Sequence, residues 1–118
     1  HKKNIRVQVD TNGILLNEDL LKKIKALDID MLNIGFDGSR REIYGITRNE
    51  NDFAKVKHNI QLAAENGVQV VLFFCLHKSN LKDLFRLYNL AIKLGVGKLS
   101  IDPYQPLNKG IAAKENCI

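Results

Sequence analysis

The chain has 118 residues, of which 45% are hydrophobic and 26% charged, and its formal net charge is +5 at pH 7. These values are typical of one ordinary globular domain. The longest apolar run, residues 70–76, is too short to cross a bilayer, and no export signal opens the sequence. We therefore expect a cytoplasmic protein with no membrane partner.

The basic residues stand singly on predicted helix faces with acidic residues among them, so we expect no nucleic-acid partner. The two cysteines, Cys75 and Cys117, form no metal-binding spacing. This chain alone therefore lacks the thiolate ligands of an iron–sulfur cluster.

Strand and helix patterns alternate from the start of the chain. The predicted strands begin near Ile5, Met31, Val68 and Lys98. The first helix should start at the N-cap Asn17 and end before Asp28, with acidic residues in its first turn. Each interval between strands is long enough for one crossover helix, so the order is β-α-β-α-β-α-β.

The second and third predicted helices carry clear start and stop signals. The second should be capped by Asn51 or Asp52 and end at Asn66-Gly67, and the third should be capped by Ser79 or Asn80 and stop at Gly95. The predicted buried positions are Phe53, Val56, Ile60 and Ala63 in the second helix, and Leu81, Leu84, Leu87, Tyr88 and Ala91 in the third.

Mostly apolar strands favour a parallel sheet. The fold class is therefore α/β, as either an open doubly wound sheet or an arc of a β/α barrel. In both architectures, ligands bind at the carboxyl ends of the strands. The polar residues expected on that rim are Asp10, Thr11, Asn12, Asn33, Asp37, Asn80, Asp102, Tyr104 and Gln105.

This rim offers hydroxyl, amide and carboxylate groups but no catalytic triad, Walker loop or GxGxxG motif. It suits the binding of a polar ligand, and a cofactor should carry any catalysis. Each of these residues also has a purely structural interpretation, because Asn-Gly and Asp-Gly pairs form turns and Asn80 can cap a helix.

Three stretches in order carry a family resemblance: "DTNGILL", "LNIGFDGSRREIYGITRNENDFAKVKHNIQLAAENGVQVVLFFCLHKSNLKDL" and "LGVGKLSIDPYQPLNKG". Together they resemble the later part of a radical S-adenosylmethionine (radical SAM) core. The similar group includes the molybdopterin-, PQQ- and haem-biosynthesis enzymes and the SPASM-tailed sulfatase-maturing enzymes.

The resemblance implies a partial (β/α)6 barrel, of which residues 1–118 form a single domain comprising about the third to sixth units. It implies S-adenosylmethionine and a [4Fe-4S] cluster as cofactors of a longer parent enzyme. That parent would cleave S-adenosylmethionine reductively to a 5′-deoxyadenosyl radical, which abstracts hydrogen from an unidentified small-molecule or peptide substrate. A reductant protein would supply the electron.

The family pattern also assigns residues. It places Asn33, Gly35 and Asp37 at the ribose and amino-acid parts of S-adenosylmethionine, and Leu76, Tyr104, Gln105 and Pro106 beside the adenine. It places Asp10, Thr11, Asn12 and Asn80 towards the substrate. The chain departs from the pattern at Gly35, where the family usually has a serine that contributes a hydroxyl to the cofactor.

The cluster-binding loop and the Gly-Gly-Glu motif of the first two units are absent from this chain, so we expect the isolated chain to be inactive. We also expect an exposed edge at the first strand and an apolar concave face, which would favour a non-native homodimer. The residues predicted on that face, depending on the strand register, are Val7, Val9, Ile34, Phe36, Leu72, Phe74 and similar residues.

Two alternatives remain open from the sequence. The chain could be a stand-alone, non-enzymatic α/β binding module, or a piece of another β/α-barrel enzyme, although it has no catalytic Lys at a strand end and no Gly-rich phosphate loop. A CxxxCxxC motif immediately upstream in the gene would distinguish these hypotheses.

Overall fold

Residues 4–103 are described by the computed structural model, and a four-stranded parallel sheet in the order β1-β2-β3-β4 lies at their centre. The strands are β1 (Gln8–Thr11), β2 (Met31–Gly35), β3 (Val70–Leu76) and β4 (Lys98–Pro103). The helices are α1 (Glu18–Ala26), α2 (Arg41–Tyr44), α3 (Phe53–Glu65) and α4 (Leu84–Lys93), with short 3-10 turns at Glu50–Asp52 and Leu81–Asp83.

The strand order confirms the α/β prediction and decides between its two forms. A doubly wound sheet reverses its strand order at a switch point, whereas here each strand pairs with the next one along the chain. Within the described residues, no helix is both long enough and apolar enough to span a membrane.

The helix ends follow local chemistry. The side chain of Asn17 accepts a hydrogen bond of 2.8 Å from the Leu20 amide, as an N-cap does. Gly67 and Gly95 adopt positive φ angles of 77° and 82°, which end α3 and α4 where the sequence predicted. Asp52 occupies the N-cap position of α3 as predicted, but its side chain makes no capping hydrogen bond. A 3-10 turn precedes the helix, and there the Asn49 side chain accepts a hydrogen bond from the Asn51 amide.

All four helices pack on one face of the sheet. Their buried side chains form a single cluster with Leu32, Ile34, Phe36, Leu72 and Phe74. Because side chains alternate along a strand, the intervening residues lie on the opposite face. We call this opposite side the open face; its members include Gln8, Asp10, Asn33, Gly35, Phe73, Cys75, Ser100 and Asp102.

The residues predicted for the apolar concave face were wrong. Ile34, Phe36, Leu72 and Phe74 are fully buried beneath the helices, and Val9 packs against the same core. The open face is mixed instead: Asp10, Asn33 and Asp102 share it with the apolar Met31, Val71 and Phe73, and self-association through this face stays a prediction. Pairing through the edge strand β1 stays a prediction.

The predicted burial of α4 was also partly wrong. Leu87 and Ala91 are buried, but Leu81 is 46% exposed and Tyr88 is 53% exposed. Leu87 and Ala91 belong to the core cluster, whereas Leu81 lies in the 3-10 turn that precedes α4.

Candidate functional site

The loop after β1 is shaped by its own side chains. The Thr11 hydroxyl accepts a hydrogen bond from the Gly13 amide at 3.1 Å, and the Asn12 side chain accepts one from the Ile14 amide at 3.0 Å. Gly13 has a φ of 81°, a conformation that favours glycine. The hydroxyl and amide predicted to face a substrate are therefore both used in folding this turn.

A side chain of helix α3 also binds the loop after β1. The Asn59 side-chain amide donates to the carbonyl oxygens of Gly13 at 2.8 Å and Ile14 at 3.3 Å. Asn59 is only 5% exposed. A buried side-chain amide bonded to two backbone carbonyls fixes the position of the loop relative to the helix. Sequence analysis missed Asn59, which lies in the predicted helix between apolar positions.

Asn33 joins β1 and β2 on the open face. Its amide nitrogen donates to an Asp10 carboxylate oxygen at 2.7 Å and to the Gln8 side-chain oxygen at 3.2 Å. Asn33 is only 5% exposed, whereas Asp10 is exposed. The structure thus brings two predicted site residues together, at adjacent positions of the strand register.

Asp37 is a buried junction at the carboxyl end of the sheet. One carboxylate oxygen accepts from the Thr47 hydroxyl at 2.9 Å and from Arg48 Nε at 2.8 Å, and the other accepts from the Cys75 amide at 3.0 Å. Its exposed fraction is 4%. Asp37 therefore connects the strands β2 and β3 to the loop that carries Arg48.

The guanidinium of Arg48 lies directly over Gly35. A Cβ atom built on Gly35 would collide with the outer nitrogen Nη2 and approach Cζ to 2.9 Å. The absence of a side chain at position 35 is thus what admits the guanidinium to the open face. Neither outer nitrogen of Arg48 donates to any residue in the described range 4–103, and its side chain is 30% exposed.

Asn80 is completely buried and bonded to backbone groups. Its amide nitrogen donates to the carbonyl oxygens of Cys75 at 2.9 Å and Asp37 at 3.2 Å, and its oxygen accepts from the His77 amide at 2.9 Å. These bonds shape the loop after β3 and tie it to the loop after β2. The side chain has no exposed surface with which to meet a substrate.

Asp83 and Ser39 also link the loop after β3 to the loop after β2. Asp83, just before α4, accepts hydrogen bonds from the Ser39 amide at 2.6 Å and the Ser39 hydroxyl at 2.5 Å. Together with Asn80, it holds the loop after β2 in place from the next unit.

The remaining predicted residues lie further along the rim. Leu76 ends β3, is half-buried, and packs against the core opposite Pro103. Tyr104, Gln105 and Pro106 lie outside the described residues, as does Cys117.

Two groups near the carboxyl ends of the strands, Cys75 and His77, have shifted pKa values. Burial raises the pKa of the Cys75 thiol, and the Asp37 and Asp102 carboxylates raise it further, so the thiol stays protonated at neutral pH. Burial lowers the pKa of the His77 imidazole, against an opposing effect of Asp37, so this ring is neutral at pH 7. Both groups are therefore uncharged at neutral pH.

A small cavity opens between β1 and β2 on the open face. Its volume is about 150 Å³, and it is lined by Asp10, Thr11, Asn33, Gly35 and Phe73. Within residues 4–103, no group of three or more His, Cys, Asp or Glu side chains could hold a metal ion. The described residues thus fit an organic ligand with polar groups and supply no cluster ligands.

Arg48 and Thr47 were missed by sequence analysis, and one signal could have found Arg48. The radical SAM pattern that the sequence resembles has an Arg-Gly pair before the helix that is α3 here, and Arg48 stands at that place, whereas Gly35 replaces the family serine. Only the structure shows that the residue that matches the pattern, Arg48, lies against the residue that departs from it, Gly35.

Comparisons with known proteins identify the family of this chain. A family model described as the radical SAM superfamily matches residues 1–91. A probable GTP 3′,8-cyclase of Saccharolobus islandicus is 30% identical over 112 residues, which cover 93% of this chain and 36% of the relative. An uncharacterized protein of Methanocaldococcus jannaschii is 36% identical over 61 residues, or 52% of this chain and 21% of that protein.

Solved structures match the fold. The structure of native anSMEcpe with bound AdoMet superposes with a TM-score of 0.75 at 17% identity, covering 99% of this chain and 33% of that chain. A second structure, with bound AdoMet and the Cp18Cys peptide, gives 0.72 at 20% identity, covering 92% of this chain and 33% of that chain. The four parallel strands alternating with helices match the radical SAM partial barrel, and this chain spans about a third or less of the length of these relatives.

Proposed function

Because this chain belongs to the radical SAM superfamily, we propose that it forms about the third to sixth β/α units of a longer iron–sulfur enzyme. When bound, S-adenosylmethionine and a [4Fe-4S] cluster supply such an enzyme with a 5′-deoxyadenosyl radical, formed by one-electron cleavage, that abstracts hydrogen from the substrate. The chain spans only about a third of its curated relatives, which leaves length in a parent protein for the cysteine ligands of the cluster.

One observation carries the cofactor assignment: the Arg48 guanidinium rests over Gly35 with both outer nitrogens available to a ligand. A planar guanidinium binds a carboxylate through parallel N–H donors, which a serine hydroxyl cannot do. We assign these donors to the carboxylate of S-adenosylmethionine. The glycine departure from the family pattern is then compensated by a stronger donor from the following loop.

The other predicted residues divide into direct and indirect roles in this proposal. Asn33 and Gly35 lie on the open face at the cofactor, whereas Asp37 acts by positioning Arg48, because its oxygens already accept three protein hydrogen bonds. Leu76 would flank the adenine together with residues 104–106. Asn80 would shape the rim of the site.

The loop after β1 would form the substrate-facing mouth, with Asp10 as its exposed charge. We propose that the parent modifies a small molecule or a peptide, since one relative is named as a probable GTP 3′,8-cyclase and one similar structure holds a peptide. We also propose that a reductant protein supplies the electron in the cytoplasm. The isolated chain would be inactive because its described residues hold no cluster ligands.

The family match removes the hypothesis of an aldolase-like or phosphate-binding barrel. A stand-alone binding module is the alternative that an experiment must separate. Expression of the complete open reading frame, followed by anaerobic reconstitution, should give about four iron and four sulfide ions per polypeptide. The electron paramagnetic resonance signal of the reduced cluster should change when S-adenosylmethionine is added.

Arg48→Met should weaken that spectral response to S-adenosylmethionine, while Arg86→Met, at an exposed position on α4, should leave it unchanged. A complete protein that binds no cluster would contradict the enzyme proposal and favour the binding module.

A further inference from the structure

Helix α4 carries a second apolar stripe, separate from the residues that it contributes to the core. Phe85, Tyr88 and Ile92 recur at helical spacings of three and four residues, and Leu81 in the preceding turn continues the stripe. All four side chains are exposed, and the exposed fraction reaches 73% at Phe85. A contiguous apolar surface of this kind normally marks a place where another element packs.

The edge strand β4 extends the same surface. Leu99 and Ile101 are paired with Leu72 and Phe74 of β3, so they point to the face that the helices cover, yet Ile101 is 44% exposed. Between β4 and α4 lies a groove of about 450 Å³. Besides these two strand residues, the described residues that line it are Leu81, Lys82, Leu84, Phe85 and Tyr88.

The topology of the sheet indicates what covers this groove. The strands β1, β2 and β3 are each followed by a helix that packs on the same face, whereas no helix follows β4 within residues 4–103. Fifteen residues of this chain follow Pro103 (118 − 103), and the chain covers only 36% of a curated relative. Crossover connections keep one hand, so the next helix along the chain would begin at the carboxyl end of β4 and run back over this strand beside α4.

The charge of the groove adds a requirement on that helix. Lys82 lies just before α4 begins, at the same end of the sheet, and the described lining contains no acidic residue. A helix that runs parallel to α4 would bring the positive end of its dipole close to this ammonium group. An acidic residue in its first turn offsets both positive charges, as Glu18 and Asp19 do in the first turn of α1.

We propose that the groove between α4 and β4 binds an amphipathic helix from the polypeptide that follows β4 in the parent. This helix runs parallel to α4, fills the groove with apolar side chains and places an Asp or Glu in its first turn opposite Lys82. The inference rests on the proposed function, because it needs a parent longer than residues 4–103. A second copy of this chain is the poorer occupant, since its own matching surface carries Lys82 and no acidic residue.

The test compares thermal unfolding of the 118-residue chain with that of the complete protein, both without cofactors. In the 118-residue chain, Phe85→Glu and Lys82→Glu should leave the midpoint unchanged or raise it, because each places a carboxylate near the start of α4. In the complete protein, Phe85→Glu should lower the midpoint by about 4 °C or more, because the new charge is buried beneath the added helix. Lys82→Glu should lower it by about 1–2 °C through repulsion from the acidic first turn.

Gln61→Glu, at an exposed position on α3, is the matched control and should have the same effect in both proteins. Equal midpoints of Phe85→Glu and Gln61→Glu in the complete protein would overturn the proposal, and this comparison decides it if the 118-residue chain shows no thermal transition. A dimer of the 118-residue chain that Phe85→Glu dissociates in sedimentation would overturn it in favour of a second copy. Cluster content is measured separately, so a complete protein that binds no iron but shows these shifts contradicts the proposed function alone.

Discussion

The guanidinium of Arg48 and any side chain at position 35 exclude each other, because the outer nitrogen of Arg48 occupies the volume that a Cβ atom on Gly35 would need. Arg48 is fixed there by Asp37, whose carboxylate also joins the end of β3 through the Cys75 amide. The chain thus replaces a small hydroxyl on β2 with a cationic donor supplied from a loop.

This relationship predicts different costs for two glycine substitutions. Gly35→Ala should lower the free energy of unfolding by about 1 kcal/mol, because the clash falls on the far end of the Arg48 side chain, which is 30% exposed and can shift. Gly38→Ala should cost about 2 kcal/mol or more, because its Cβ would lie 2.5 Å from the Tyr44 amide nitrogen and 2.8 Å from the Ile43 carbonyl carbon. Urea denaturation followed by circular dichroism measures both; equal costs would contradict the packing described around Gly35.

The Asp37 junction predicts a large effect of a nearly isosteric change. Asp37→Asn should lower the free energy of unfolding by about 2–3 kcal/mol, because the buried side chain loses its charge opposite Arg48 and one of its accepting oxygens. Asp102→Asn is the control, an exposed carboxylate on β4 whose replacement should have little effect. Similar stabilities of the two variants would mean that Asp37 does not hold the rim together.

The hydrogen bonds from Asn59 in α3 to the loop after β1 predict a local change in dynamics. Asn59→Leu should increase the hydrogen-exchange rate of the Gly13 and Ile14 amides, because their loop loses the two bonds donated by Asn59. Gln61→Leu, at an exposed position of the same helix, should leave those rates unchanged. Equal exchange rates of the loop amides in Asn59→Leu and in the control would show that Asn59 does not hold this loop in place.

His77 predicts the sign of a pH dependence. Its pKa is lowered by burial from an ordinary value of 6.5, so the unfolded chain binds more protons than the folded one as the pH falls below that value. The contribution of this group is therefore fully present above pH 6.5 and is lost as the pH falls through the lower folded pKa. His77→Asn should flatten the decline in unfolding free energy as the pH falls below about 6.5, and His58→Asn, at an exposed position of α3, is the matched control.

The course of the chain could be predicted from its sequence because strand and helix periods are long and well bounded. Asn17, Gly67 and Gly95 mark helix ends whose chemistry is local, so they are found in the expected places. The short helix α2 was not predicted, since four residues are too few to show a helical period.

The open face could not be assigned from the sequence because β3 is apolar on both sides. In the run "VVLFFCL" neither alternating set is distinguished by polarity, and the wrong set was predicted to face the interior. On β2, Asn33 and Gly35 both lie on the open face and line its cavity. Arg48 lies 13 positions after Gly35 (48 − 35), so a contact that depends on the path of a loop was beyond any periodic pattern.

The central claim is that Arg48 helps to bind S-adenosylmethionine in a radical SAM enzyme. The most direct measurement is the yield of 5′-deoxyadenosine when the complete reconstituted parent is reduced with dithionite at a limiting concentration of S-adenosylmethionine. Wild type should produce it, Arg48→Met should produce at least about tenfold less and recover partly at high S-adenosylmethionine, and Arg86→Met should match wild type. No 5′-deoxyadenosine from wild type, or an equal yield from Arg48→Met, would contradict the account.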